Sequence, residues 1–350
     1  MPKASIAVYT SAQEDSEKYD AEWQLHYGVR VIRDRAKILL PTPRVNRAVV
    51  RLVAEEGIDT VAFGAAAPLA WMSGLLRRNG VKRIIALTHG HEVWWSKLFP
   101  FNQIMRHIGV TTDSLTYLGE FTRTAIAHAL KTEDAAAMCK IAPGIDIDHF
   151  KPVDSNSLRE SLGLSEKKVI VSVGRLVHRK GQDFLIQSMP IILKREPRAH
   201  LVLIGQGPYR KHLEKLVAKN HLADHVSFIG RIQYVDLPRY ICIGDIFAMP
   251  SRSRFGGLEV EGLGIVYLEA SACGLPVIAG ASGGAPDAVI EGRTGFVVDG
   301  TDCTAIASKA LQLLSDPQLR KNMGEAGRDW IIKEWRWELW AEKFSQLLKG

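Results

Sequence analysis

Two carboxylates, Glu261 and Glu269, stand eight positions apart in the stretch EGLGIVYLE, with Gly262 and Gly264 close behind the first. If the residues after Glu261 form a helix, the glycines present bare backbone N–H groups at its start and Glu269 lies about two turns further along. Such a pair suits a sugar gripped at one end and a polyol such as ribose at the other. A second stretch, GRLVHRKG, sets Arg175 and Lys180 between Gly174 and Gly181. The glycines permit a tight turn, and the two cations can converge across it on an oxygen-rich phosphate. A diphosphate leaving group is the chemistry this charge fits; a solvated basic loop is the plainer alternative.

Other polar stretches carry weaker signals. In THGHE, His89 follows an apolar run, and at the carboxyl end of a strand it can face a cleft and orient a reacting sugar. His89, His91 and Glu92 lack the helical HExxH spacing and have no identifiable third partner, so no metal site is expected. Asp146 and Asp148 follow Pro143-Gly144 and read as a turn or helix cap rather than a metal-binding pair. Gly205-Gln206-Gly207 and the Ser282 to Gly284 segment, with Asp287 beyond it, are either close-approach loops or structural turns. The absence of a GxxxxGK[ST] run argues against a switch ATPase or GTPase.

The elements that must hold these groups alternate between short apolar runs and amphipathic stretches. Strands are expected at Ser5 to Thr10, Val29 to Arg33, Asp59 to Gly64, Arg83 to Thr88 and Asp113 to Leu118; helices at Arg44 to Glu56, Pro68 to Asn79 and Gly119 to Leu130. The pattern breaks at Ala142-Pro143-Gly144 and restarts with strands at Lys168 to Val173, Ala199 to Gly205, Val226 to Ile229, Asp245 to Met249 and Pro276 to Ala279. Helices are expected there at Gln182 to Leu193 and Tyr209 to Ala218. This order implies two parallel α/β domains, residues 1–144 and 145–328, with a terminal helical segment, 329–350, packing back toward the first. Trp330, Trp337 and Trp340 are expected on the inner face of the last helices.

The 350 residues carry 45 Lys and Arg against 38 Asp and Glu, a net charge of +7. That balance favours anionic ligands or an anionic surface without calling for nucleic acid. Cys139, Cys242, Cys273 and Cys303 are widely separated, as in a cytoplasmic protein with structural thiols. With no signal segment and no spanning apolar run visible, membrane contact is expected to be peripheral.

Taken together, the motifs resemble those of the retaining glycosyltransferases of the two-domain GT-B type, in the large family 4. The resemblance rests on the E-x7-E of EGLGIVYLE, the basic pair of GRLVHRKG, THGHE, PGID at Pro143 to Asp146, and SGGAPDAV at Ser282 to Val289. Longer stretches, among them VAFGAAAPLAWM and THGHEVWWSKLFP, are most similar to the actinobacterial, GDP-mannose-dependent members that mannosylate phosphatidylinositol monomannoside. The resemblance implies a GT-B fold, two Rossmann-like domains facing a cleft, and transfer of mannose from GDP-mannose to form an α-1,6 mannoside with no required cofactor.

It also implies roles for single residues. His89, Arg175, Lys180 and Glu261 form the catalytic set; Gly174, Arg175, Lys180, Glu261, Leu263, Gly264 and Glu269 hold the donor. Glu269 would bind the ribose hydroxyls, and Glu261 with the Leu263 and Gly264 backbone the sugar. The implied partners are a nucleotide sugar and an anionic phosphoinositide acceptor at the inner face of the plasma membrane. Trp94 to Lys97, Arg106 and His107 are candidates for membrane contact, with local folding as their other explanation. Oligomeric state is left open.

The chain departs from the family pattern in one respect. It starts at what resembles the family's second strand, so the N-terminal domain is expected to lack its first strand and glycine-rich loop. Two other readings stand beside the main one: a GT-B hexosyltransferase with a different sugar nucleotide or a soluble acceptor, and an inactive sugar-nucleotide-binding or scaffolding protein.

Overall fold

Strand sequences such as KVIVSV and AHLVLI are apolar at successive positions, which suits a parallel sheet covered by helices on both faces. The computed structural model, which describes residues 6–14 and 16–350, shows this arrangement in the C-terminal half. Six parallel strands lie there in the spatial order β12-β11-β10-β7-β8-β9. They are β7 (Lys168–Val173), β8 (Ala199–Ile204), β9 (Val226–Gly230), β10 (Ile246–Met249), β11 (Val277–Gly280) and β12 (Gly295–Val298). Alternate side chains feed two separate cores: Val169, Val171 and Val202 on one face, Ile170, Leu201 and Leu203 on the other.

The described strands of the N-terminal half fall into two sheets. Four parallel strands, β3 (Thr60–Phe63), β4 (Arg83–Ala86), β5 (Ser114–Tyr117) and β6 (Cys139–Lys140), form one sheet. Two more, β1 (Ala7–Ser11) and β2 (Arg30–Asp34), pair only with each other. Ser5, where the first strand was expected to begin, lies outside the described residues. The helix expected over Pro68 to Asn79 is divided into a 3-10 turn, Leu69–Met72, and a short helix, Ser73–Arg78.

The terminal tryptophans correct one expectation. Trp337 is 58% exposed, whereas Trp335 is buried at 2% beside Trp340. The offsets of seven and three assume one helical phase, but the chain leaves the helix Pro317–Glu334 and restarts at Trp337–Lys349. Between them Arg336 is extended and bridges to Ile145, which resets the phase. Further along, Arg83 Nε, at the start of β4, donates to Leu347 O at 2.6 Å. No helix among the described residues is long and apolar enough to cross a membrane.

Candidate active site

The order of the C-terminal sheet reverses between β7 and β10: β8 and β9 lie to one side, β11 and β12 to the other. In open parallel sheets the crevice outside the carboxyl ends at such a reversal is where ligands lodge. Here the segment from Gly174 to Gly181 leaves β7, and the segment from Pro250 to Glu261 leaves β10. Gly181 has φ +73°, and a Cβ there would fall 1.8 Å from Pro250 O, so only glycine lets the two segments close on each other. Gly264, at φ +78°, opens the helix Ile265–Ala272 that carries Glu269. The conditional helix after Glu261 therefore exists.

Lys180, Glu261 and Glu269 are all buried in this crevice. Lys180 Nζ lies 2.7 Å from Glu261 Oε2, and Arg179 Nη1 lies 2.8 Å from the same oxygen. Burial depresses the Lys180 ammonium below its ordinary range, with Glu261 pulling it back. Burial raises the Glu269 carboxyl to about 7, with Lys180 the opposing influence. The Glu261 backbone is fixed on both sides: its N–H donates to Ser282 Oγ at 3.3 Å, and its carbonyl accepts from Gly284 N at 2.8 Å. A Cβ on Gly284 would meet Gly262 O at 2.1 Å, so the SGG segment is a close-packed floor beneath the glutamate.

The N-terminal half reaches the same place. A Cβ on Gly90 would lie 2.8 Å from Gly262 Cα, which sets the THGHE loop directly against the E-x7-E segment. His89 is exposed, with Nε2 2.5 Å from Gly64 O, and its N–H donates to the buried Glu92 at 2.9 Å. Phe121 N donates to Asp287 Oδ2 at 3.3 Å across the same crevice. Leu263 is buried next to Gly264, with Gly174 at the end of β7. Arg175 stands apart: it is exposed and joins no ion pair among the described residues.

Two features of the site were not anticipated. Arg179 shares Glu261 with Lys180. Arg252 is buried and meets Asp183 through two hydrogen bonds of 2.7 Å, while also approaching His178 Nδ1 at 2.6 Å. Tyr209 donates to the same Asp183 at 3.0 Å, and the Arg252 N–H donates to Arg179 O at 2.8 Å. This cluster clamps the segment that presents Lys180. No local sequence pattern links Asp183 to Arg252; only the adjacency of β7 and β10 brings them together.

Residues 154–330 match the family model for glycosyl transferases group 1. Over 347 residues, 99% of this chain and 90% of the relative, the sequence is 44% identical to the GDP-mannose-dependent alpha-(1-6)-phosphatidylinositol monomannoside mannosyltransferase of Mycolicibacterium smegmatis. The chain belongs to the group 1 glycosyltransferases. Another relative, the GDP-mannose-dependent monoacylated alpha-(1-6)-phosphatidylinositol monomannoside mannosyltransferase of Corynebacterium glutamicum, is 41% identical over 350 residues, 99% of this chain and 90% of that protein. An Anabaena protein solved with UDP superposes with a TM-score of 0.81 at 18% identity, covering 98% of this chain and 99% of that one. Sucrose-phosphate synthase from Thermosynechococcus elongatus gives 0.78 at 22%, covering 98% of each. The group 1 chain has the GT-B fold, as its motifs led one to expect.

Proposed function

We propose that this chain transfers mannose from GDP-mannose to phosphatidylinositol monomannoside, forming an α-1,6 mannoside at the cytoplasmic face of the membrane. The observation that carries the reading is the crevice where Lys180, Glu261 and Glu269 converge, in a chain 44% identical along 99% of its length to a relative named for that reaction. Glu269 accepts hydrogen bonds from the ribose hydroxyls. Glu261, with the Leu263 and Gly264 backbone, holds the sugar, and His89 touches it near the reacting face. Lys180 and Arg175 neutralise the diphosphate as the glycosidic bond breaks. Arg175 is available for this because no carboxylate engages it among the described residues; Arg179 and Lys180 both pair with Glu261, and Arg179 keeps that glutamate neutralised when Lys180 turns to the diphosphate.

The acceptor hydroxyl attacks the anomeric carbon from the face that GDP leaves. A C–O bond to the acceptor forms, the C–O bond to phosphate breaks with its electron pair passing to GDP, and a donor phosphate oxygen takes the hydroxyl proton. This course retains the α configuration. The two-carboxylate mechanism of glycosidases is not needed, because both glutamates are engaged in holding the donor.

The test is linkage analysis and NMR of the product made from GDP-α-mannose and phosphatidylinositol monomannoside. An α-1,6 mannoside is expected. A β-mannoside would overturn the retaining course, and transfer from UDP-glucose but not GDP-mannose would overturn the donor.

A further inference from the structure

Phe99 is 80% exposed and Phe255 is 67% exposed, and folding explains neither ring. They belong to different halves of the molecule. Phe99 follows the helix Glu92–Lys97, and Phe255 begins the turn Phe255–Gly257 that leads toward Glu261. The halves touch between them, where Lys97 Nζ donates to Gly257 O at 3.1 Å. Each residue of that contact is two positions from its phenylalanine, so the rings flank a single junction at the rim of the crevice.

The neighbouring aromatics behave differently. Trp94 and Trp95 are partly buried, each ring 5.0 Å from that of Phe101, so local folding accounts for them. Phe255, by contrast, holds φ +52°, a left-handed conformation costly to any residue with a Cβ. The turn is braced by Arg254 and Glu259, whose side chains pair at 3.0 Å, and the Arg254 guanidinium sits 4.6 Å from the Phe255 ring. A phenylalanine is thus kept outward-facing at a position where glycine would be unstrained. Leu98 beside Phe99 is exposed as well. Apolar tips beside a cation free of any carboxylate among the described residues, here Lys97, with Arg254 already paired to Glu259, are the composition of an interfacial anchor for anionic lipid.

We infer that this rim, Lys97 to Phe99 from one half and Arg254-Phe255 from the other, docks on an anionic bilayer, both phenylalanines entering below the headgroups. The purpose of such docking rests on the lipid-acceptor reading above. Glu261 is only two residues beyond Glu259, so a crevice opening at this rim faces the membrane surface with the donor site just behind it. Because the anchors come from separate halves, the bilayer spans the crevice and favours the approach of Lys97 to Gly257.

Co-sedimentation of the whole chain with phosphatidylcholine vesicles, with and without phosphatidylinositol, tests this. The variants are Phe99→Ser, Phe255→Gly and the two combined, with Trp71→Ser as a control at an exposed ring elsewhere in the N-terminal half. The double variant is expected to bind phosphatidylinositol vesicles at least about tenfold more weakly, with a melting temperature no lower than the parent's because glycine relieves the strain at Phe255, and Trp71→Ser to bind like the parent. Sedimentation of the double variant equal to the parent's overturns the inference, as does an equal loss in Trp71→Ser. Transfer from GDP-mannose to vesicle-borne phosphatidylinositol monomannoside reports on the enzymatic reading separately: the parent failing there refutes that reading, and the sedimentation result still decides the docking surface.

Discussion

In the C-terminal half Arg252 and Asp183 are both buried and meet through two hydrogen bonds, whereas in the N-terminal half the buried Asp34 is met by Arg44, whose side chain is 42% exposed. The first pair joins the first turn of the helix Gln182–Leu193 to the segment that follows β10, and the Arg252 backbone N–H also donates to Arg179 O in the segment that carries Lys180. The second joins the end of β2 to the first turn of the helix Pro43–Glu56. Removing one member of a dry pair strands a charge, while a wet arginine exchanges its partner for water at little cost. The difference marks where the geometry is held most firmly: beside the crevice at β7 and β10, and less in the half whose strands are divided into two sheets.

Breaking the comparison at its strongest point is the first test. Arg252→Ala is expected to lower unfolding stability by about 3–5 kcal/mol, read by denaturant titration. A loss no larger than that of Arg44→Ala would erase the contrast. Lys180→Ala comes next: kcat/KM is expected to fall by about a thousandfold with little change in circular dichroism, because Arg179 still neutralises Glu261. Normal donor kinetics would remove Lys180 from the diphosphate site.

Glu269→Gln should cost about tenfold in kcat/KM for the nucleotide sugar, since an amide is a poorer acceptor for two hydroxyls. It should also change the pH dependence. With the Glu269 carboxyl raised to about 7, the parent's kcat/KM is expected to rise with pH through that value as the carboxylate forms, and the variant's profile to lose that limb. Stability gives the matching sign. The folded carboxyl holds its proton between its ordinary value of 4.5 and about 7, so folding binds a proton there and stability falls as pH rises across that window. The melting temperature of Glu269→Gln relative to the parent is therefore expected to be higher at pH 8 than at pH 4. The smallest effect is Arg44→Ala, about 1 kcal/mol by the same titration, because Asp34 keeps its bonds from Tyr9 and Ala36.

Much of the catalytic half was legible in the sequence because its signals are local. The helix Gln182–Leu193 and the strand Lys168–Val173 appear with the bounds that their apolar patterns indicate, since a buried parallel strand and a helix against it leave strong traces. EGLGIVYLE and GRLVHRKG likewise carry spacing that can be read without coordinates. The helices Ser16–Tyr27 and Phe101–Thr111 were missed; the first carries Tyr19, Ala21, Trp23, Leu25 and Tyr27 at every second position, which spreads them round the helix and leaves no single apolar face to betray it. The grip of Arg179 on Glu261 was also missed, because nothing in the HRK run shows that the turn brings both of its cations to the same glutamate oxygen. Arg252 with Asp183 lay beyond sequence reading for the same reason as the Gly90 contact with Gly262: both join segments far apart in the chain.

The central claim is that Lys180 and Glu269 grip one nucleoside diphosphate in the crevice between β7 and β10. Calorimetric titration of GDP into the parent, Lys180→Ala and Glu269→Gln tests it without any acceptor. The account predicts binding to the parent and an affinity lower by about tenfold or more in each variant; GDP affinity unchanged in both would contradict it.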